Sequence, residues 1–219
     1  MPKTIKTGMK HKASYVSDKV FLNIPYDKRF EPLYLAFIAG LSGFGLIPQA
    51  VLQIPESERR LVRILSLIRQ CKISFHDLSR VNLDPKPPRT PRFNMPFELG
   101  LAVAWQRIGK RSHRWYVFEA EPHRLQKSLS DLNGTDPYIH HYQPDGVLQQ
   151  LTDALIRVRH RPTVMELEAI LDDLKKAAVK IKRGLRTKSL FGSRAFEDLV
   201  LAAQRIARTH VASLRQTTY

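Results

Sequence analysis

The chain has little cysteine, few acidic residues and no long apolar run. Its one cysteine, Cys71, excludes an internal disulfide and any metal site built from several cysteines. No apolar stretch approaches the ~20 residues that a membrane-spanning helix needs. The basic N-terminus is not followed by the apolar segment of a secretory signal. These absences predict a cytoplasmic protein without a membrane partner.

Several common ligand-binding motifs are also missing. No G-x-G-x-x-G follows the first predicted strand and no Walker loop occurs, which argues against a dinucleotide redox site and a P-loop. The segment 131–136 has the composition of a calcium loop, but it lacks that loop's spacing and terminal glutamate. His140 and His141 are neighbours on a predicted strand, so they point to opposite faces and cannot share a metal. We expect no metal and no other cofactor.

The charge is strongly unbalanced. Thirty-six Lys and Arg stand against 20 Asp and Glu, a net charge of +16. This excess favours an anionic partner, such as a nucleotide, a nucleic acid or an acidic protein. Nucleic-acid binding rests on charge alone, because the basic connector near residues 180–188 lacks the interleaved aromatic residues of single-strand binders.

The pattern divides the chain into three parts. Residues 1–19 form a lysine-rich tail that we predict to be disordered. Over 20–160, strands and helices alternate, which predicts a flavodoxin-like α/β fold with a mostly parallel sheet and helices on both faces. Residues 161–219 read as a C-terminal helical hairpin that a capping box opens at Thr163 and Glu166. Two such helices must pack on each other, on the α/β domain or on a second subunit, and we predict a homo-oligomer through them.

The individual elements follow from apolar periodicity and turn residues. The predicted strands cover 20–24, 46–52, 73–78, 115–119 and 138–142. The predicted helices cover 30–41, a segment with Leu61, Ile64, Leu65 and Ile68 that Ser57 would cap, the segment around Glu98, and 146 to about 157. The intervening stretch 80–91 has four prolines and no periodicity, as functional loops often do.

Candidate binding residues cluster where the predicted strands end. Ligands of open α/β sheets bind outside the carboxyl ends of the strands. The predicted roles there are stacking on a base for Tyr26 and Phe30, ribose binding for Asp27 or Asp77, phosphate binding for Arg29 or Arg92, and a place at the same edge for Ser79. Each has a plainer alternative, since surface arginines are commonly solvated and Asp77 can cap the following turn.

Glu98 is the candidate for chemistry. Pro96 fits the first turn of a helix, with Asn94 or Met95 at or near its cap. Glu98 would then lie in the first turn, where the helix dipole favours an ionised carboxylate. The carboxylate either complements the dipole or acts as a nucleophile or general base at the rim of a cleft.

The order of elements and three short motifs carry a resemblance. The strand at 20–24 with its polar turn at Asp27, the segment 73–79, and the E-L-G-L-A sequence at 98–102 resemble the TIR-like superfamily and the nucleoside 2-deoxyribosyltransferases. The resemblance covers roughly residues 20–158. It implies cleavage of an N-glycosidic bond in NAD or a related nucleotide or nucleoside, with Glu98 as the key carboxylate and NAD as substrate rather than cofactor.

The implied chemistry also suggests roles for the aromatic residues around Glu98 and for the protein as a whole. Phe93 and Phe97, with Tyr26, would exclude water and stack on nicotinamide or another base. Water would complete hydrolysis, and a second base would complete transfer. A prokaryotic defence effector is one role such an enzyme would have. The alternative is a non-catalytic nucleotide sensor or assembly module with the same fold.

Overall fold

A computed structural model describes residues 18–53, 59–80, 83, 86–109, 113–158 and 160–217. Residues 1–17 of the predicted tail, and Ser57, lie outside the described residues. The strands form one parallel sheet in the order β2-β1-β3-β4-β5, which confirms the flavodoxin-like α/β fold. Their bounds are β1 Lys19–Asn23, β2 Ile47–Gln49, β3 Ile73–Asp77, β4 Arg114–Glu119 and β5 Tyr138–Ile139.

Helices connect the strands and follow the last one. Their bounds are α1 Glu31–Gly43, α2 Arg60–Gln70, α3 Asn94–Ile108, α4 Arg124–Ser128, α5 Pro144–Ala154, α6 Val164–Gly184 and α7 Ser193–Thr217. A single 3-10 turn, Ser130–Leu132, follows α4. None of the described helices is both long enough and apolar enough to cross a bilayer.

The two faces of the sheet are covered by different helices. Leu22 and Phe75 belong to the core beneath α1 and α5, whereas Phe21 belongs to a separate core with α2 and Ala102 of α3. Successive side chains of a strand point to opposite faces, so α1 and α3 lie on opposite sides. The strands β1 and β3 are neighbours, with Asn23 opposite His76. Their carboxyl ends therefore flank the point where the connections diverge, which is where open α/β sheets bind ligands.

The C-terminal hairpin forms a further layer over α1. Leucine and isoleucine side chains of α6 and phenylalanine and leucine side chains of α7 share one core with α1. Every residue of α1 from Leu33 to Gly43 is buried. A Cβ added at Gly43 would lie 2.4 Å from Leu167 Cδ2, so the helices meet at a glycine. This docking explains why α1 is apolar on most sides, and each fully buried leucine contributes about 1.5–3 kcal/mol.

Some local predictions are confirmed and others are wrong. The capping box of Thr163 and Glu166 is present, and α6 ends at Gly184. Leu61 and Leu65 were expected to face the core with Ile64 and Ile68, but they are 46% and 41% exposed because α2 packs through its isoleucines and Leu67.

Two strands are shorter than their apolar runs predicted. β5 covers only residues 138–139, because the backbone turns at His141 and Tyr142, where φ is +52° and +58°. The two adjacent histidines therefore lie after the strand rather than on it. β2 covers 47–49 of the expected 46–52.

Candidate functional site

The helix that carries Glu98 begins earlier than predicted. α3 starts at Asn94, its N-cap Phe93 makes no side-chain capping hydrogen bond, and no acidic residue lies in the first turn. Pro96 is the third helical residue, where a missing N–H leaves no hydrogen bond unmade. Glu98 is the fifth residue, so the prediction that the helix terminus stabilises its charge is wrong.

Burial, rather than the helix terminus, determines the pKa of the Glu98 carboxyl. The residue is 1% exposed, and its Oε2 has no hydrogen-bond partner among the described residues. Nη2 of Arg60, a side chain that is 51% exposed, lies 4.0 Å from Glu98 Oε1. Burial raises the pKa of Glu98 from 4.5 to about 7, and the charge of Arg60 offsets part of that rise. The group is therefore close to half-protonated at neutral pH.

The fold places Glu98 at the carboxyl ends of β1 and β3. Ala102 packs in the core that contains Phe21, and Glu98 lies one turn before Ala102 on the same buried side of α3. Asn23 lies two residues after Phe21 and points to the same face of the sheet. The Asn23 amide donates to the carbonyl oxygen of Met95 at 3.2 Å, which fixes the start of α3 against β1.

Tyr26 lies between this site and the core under α1. Its hydroxyl donates to the Leu22 carbonyl at 3.2 Å, and its ring contacts Tyr34 and Phe191 with centroids 6.3 Å away in each case. Burial raises the pKa of Tyr26 above its usual range, and the negative charge of Glu98 adds to the effect. In this arrangement the Tyr26 ring is a packed core group.

A buried chain of hydrogen bonds runs away from Asn23 along β3. The amide nitrogen of Asn23 lies 2.9 Å from His76 Nδ1, and His76 Nε2 lies 2.8 Å from Ser74 Oγ. Ser74 Oγ lies 2.9 Å from His113 Nε2, and His113 Nδ1 lies 3.0 Å from the Cys71 carbonyl oxygen. All four side chains are at most 2% exposed.

Both histidines in this row of hydrogen bonds, His76 and His113, are held neutral. Burial is the main cause that lowers the pKa of His76 to about 3, and the neighbouring His113 contributes to the same shift. Burial also lowers the pKa of His113, and its hydrogen bond to the Cys71 carbonyl acts in the opposite direction. The described residues offer these rings hydroxyl, amide and carbonyl partners and no carboxylate, so neither is positioned as a catalytic base.

A second group of predicted residues surrounds a separate cavity of about 350 Å³ at the same edge of the sheet. It is lined by Asp27, Arg29, Phe30, Ser79, Arg80, Glu121, Arg124 and Tyr142. Asp27 Oδ1 accepts from the backbone N–H of Arg29 at 3.0 Å and of Phe30 at 3.2 Å, and Oδ2 lies 3.1 Å from Arg80 Nε. Asp27 thus joins the loop after β1 to the loop after β3.

Asp77 lies beneath this cavity rather than in its lining. Its Oδ1 accepts from the backbone N–H and the hydroxyl of Ser79, and its Oδ2 lies 2.9 Å from His140 Nε2. His140 Nδ1 accepts from the Tyr142 N–H, so Nε2 carries the hydrogen that bonds Asp77. Asp77 and His140 are both fully buried. The geometry supports the turn-capping interpretation of Asp77.

Arg124 and His140, which the sequence did not indicate as site residues, bond the residues in and beneath the lining of this cavity. Arg124 pairs with Glu119 and Glu121, donates to the Ser79 carbonyl at 3.1 Å and contacts the Tyr142 hydroxyl at 3.4 Å. Glu119 and Glu121 are local partners, but Ser79 and Tyr142 lie 45 residues before and 18 residues after Arg124, and no sequence spacing links them to it. The hydrogen bond to Glu119 raises the pKa of Arg124, which keeps a fixed positive charge at the end of β4.

The remaining predicted site residues divide between core and surface. The Phe30 ring stacks on Phe37 with centroids 6.5 Å apart and is 4% exposed. Phe93 and Phe97 are 66% and 55% exposed. Arg92 and Asn94 are also exposed, and none of these four surface residues lines the cavity beside Asp27.

The fold and the site define an α/β protein of flavodoxin-like topology with a docked helical hairpin and a buried glutamate at its topological switch point. Comparison of the chain with protein-family models, with curated proteins and with solved structures gave no match. Over the described residues, no cluster of three or more histidine, cysteine or acidic side chains has a metal-binding arrangement.

Proposed function

We propose that this protein cleaves the N-glycosidic bond of NAD or of a related nucleotide or nucleoside, with Glu98 as the reacting carboxylate. The observation that carries the proposal is the buried Glu98 carboxyl at the carboxyl ends of β1 and β3, with a pKa raised to about 7. Groups with pKa values displaced by burial are concentrated at functional sites. The likeness of E-L-G-L-A to the glutamate segment of the deoxyribosyltransferases supports the same reading.

Cleavage of an N-glycosidic bond requires one carboxylate beside the anomeric carbon. Breaking the bond between ribose and base develops positive charge on that carbon, and an adjacent carboxylate stabilises the charge or captures the carbon covalently. A low-dielectric setting strengthens this interaction, because little solvent screens the two charges. Only the ionised form of Glu98 serves either role, so the rate should rise with pH through about 7.

The test is incubation of the purified protein with NAD and with a panel of nucleosides, followed by chromatography of the free base. We expect base release by the wild type and none by Glu98→Gln, which keeps the size of the side chain and removes its charge. Glu168→Gln, on the exposed side of α6, is the control for the loss of one carboxylate. Equal turnover by Glu98→Gln and the wild type would remove Glu98 from the mechanism.

A non-catalytic nucleotide sensor is the second candidate. It is favoured by the cavity beside Asp27, whose lining contains three arginines, Arg29, Arg80 and Arg124, against the two carboxylates of Asp27 and Glu121, and does not contain Glu98. Arginine side chains suit phosphate groups. Recovery of a bound nucleotide unchanged after incubation, with no free base, would select this function over the enzyme.

The proposed function also leads us to propose a cytoplasmic location and a homo-oligomeric state. A nucleotide substrate and a single buried free cysteine, Cys71, fit a cytoplasmic protein. The apolar stripes of α6 and α7 are already packed on α1. A homo-oligomer would therefore use other residues of the hairpin, among which Met165, Val179 and Leu201 are exposed by 78%, 58% and 60%. Sedimentation of the purified chain tests this.

A further inference from the structure

We infer that the side-chain oxygen of Asn23, an amide that the Met95 carbonyl orients, is a hydrogen-bond acceptor for a hydroxyl of the substrate's ribose. This inference rests on the proposed function and adds to it a residue that binds the sugar. It starts from two buried acceptors that have no partner among the described residues, Asn23 Oδ1 and Glu98 Oε2. Their residues are each 1% exposed.

The Met95 carbonyl, at one end of the row of buried hydrogen bonds, fixes the orientation of the Asn23 amide. The Met95 carbonyl can only accept a hydrogen bond, so the group 3.2 Å from it must be the amide nitrogen. That nitrogen has two hydrogens, and the second points to His76 Nδ1 at 2.9 Å. A rotation that exchanged oxygen and nitrogen would set two acceptors against each other at Met95. The oxygen is therefore left facing away from both partners.

The Cys71 carbonyl, at the other end of the row of hydrogen bonds, requires the same orientation of the Asn23 amide. The Cys71 carbonyl accepts from His113 Nδ1, which leaves His113 Nε2 as the acceptor for the Ser74 hydroxyl. Ser74 Oγ then accepts from His76 Nε2, so His76 Nδ1 is an acceptor and needs the Asn23 N–H. Every donor in the chain is used, and the Asn23 oxygen remains as its one unpaired acceptor within the described residues.

Two unpaired acceptors on one side of the sheet match two hydroxyl donors. Met95 and Glu98 are three residues apart on α3, so the Asn23 amide contacts the turn of the helix that carries Glu98. A buried acceptor without a donor destabilises a fold, so native proteins seldom leave one unfilled. The neighbouring 2′ and 3′ hydroxyls of a ribose supply two donors. Arg60 lies on the solvent side, half exposed and 4.0 Å from Glu98.

The experiment measures binding by calorimetry of NAD and of two NAD analogues that lack the 2′ or the 3′ hydroxyl of the nicotinamide ribose. The wild type should bind at least one analogue about tenfold more weakly than NAD, since that analogue leaves a buried acceptor unpaired. Asn23→Ala should bind that analogue and NAD within about twofold of each other. Asn23→Ser is tested in parallel and serves if the alanine variant does not fold.

Ser74→Ala is the matched control, because it breaks the row of hydrogen bonds beyond His76 while the Met95 carbonyl still orients the Asn23 amide. We expect it to lose stability and to keep the discrimination between NAD and the analogue. Equal binding of NAD and both analogues by the wild type would overturn the inference and assign the two acceptors to internal water. Discrimination retained by both Asn23 variants, or lost in Ser74→Ala, would also overturn it.

Base release measured on the same samples separates the two proposals. Discrimination without release would leave the Asn23 assignment standing and refute the enzyme. Release that ignores both hydroxyls would refute the assignment and leave the enzyme standing. No binding of NAD, together with no base release from NAD or from the nucleoside panel, would refute both.

Discussion

Replacing Glu98 by glutamine should stabilise the protein at neutral pH. The folded-state pKa of Glu98 is about 7, against 4.5 for an exposed glutamate. Below pH 4.5 both states hold the proton and the group has no effect. As the pH rises, the unfolded chain releases the proton first, so the free energy of unfolding falls until the pH passes about 7. Glu98→Gln has no such titration.

The size of the effect follows from the same two pKa values. At about 1.4 kcal/mol per pH unit, the full destabilisation of the wild type above pH 7 is about 3 kcal/mol. Between pH 5 and pH 8 the difference in unfolding free energy between Glu98→Gln and the wild type should grow by about 2.5 kcal/mol. That is a large part of the about 5–15 kcal/mol that stabilises a typical protein.

Urea unfolding at pH 5, 6, 7 and 8 measures this difference. His76 and His113 have lowered pKa values and give the opposite trend below pH 6.5, but they do so in both proteins and cancel in the difference. Glu168→Gln controls for the loss of a charge from the surface. A difference between Glu98→Gln and the wild type that stays constant from pH 5 to 8 would refute the claim that burial raises the pKa of Glu98.

Three further changes test other parts of the structure. Arg60→Met removes the charge that lowers the pKa of Glu98. In that background, the pH at which the stability difference caused by Glu98→Gln levels off should move above 7; no movement would show that Arg60 does not affect the pKa of Glu98. Gly146→Ala would place a Cβ 2.4 Å from the His140 carbonyl oxygen, a backbone atom, and should lower the melting temperature, whereas an unchanged value would contradict this close approach. Thr163→Ala removes the α6 capping box and should lower the free energy of unfolding by about 1 kcal/mol; a loss near zero would show that the cap is not used.

The order of strands and helices could be predicted because it depends on local patterns. Short apolar runs bounded by turns gave β1 and β3 to within a residue or two. The capping box at Thr163 was readable because both of its hydrogen bonds lie within four consecutive residues. Glu98 could be chosen as a candidate because it follows a proline-rich loop in a chain that alternates strand and helix. These features need no knowledge of distant neighbours.

The partners and the burial of individual side chains could not be predicted from local sequence patterns. Asp77 is paired with His140, which lies 63 residues later, and nothing in either segment indicates the other. Leu61 and Leu65 have helical spacing, yet they are exposed because α2 turns another side to the sheet. The Asn23 amide is oriented by Met95, 72 residues away.

The amino-acid order alone was enough to predict a parallel α/β layer, since its strands and helices follow from periodicities of two and about 3.6 residues. It also indicated Glu98 at the carboxyl edge of the sheet, because the loop after the third predicted strand leads to that residue. Whether that glutamate holds a proton was decided by packing. The pKa of Glu98 depends on how much solvent α2, α3 and the sheet exclude and on the distance to Arg60, and those quantities exist only once the chain has folded.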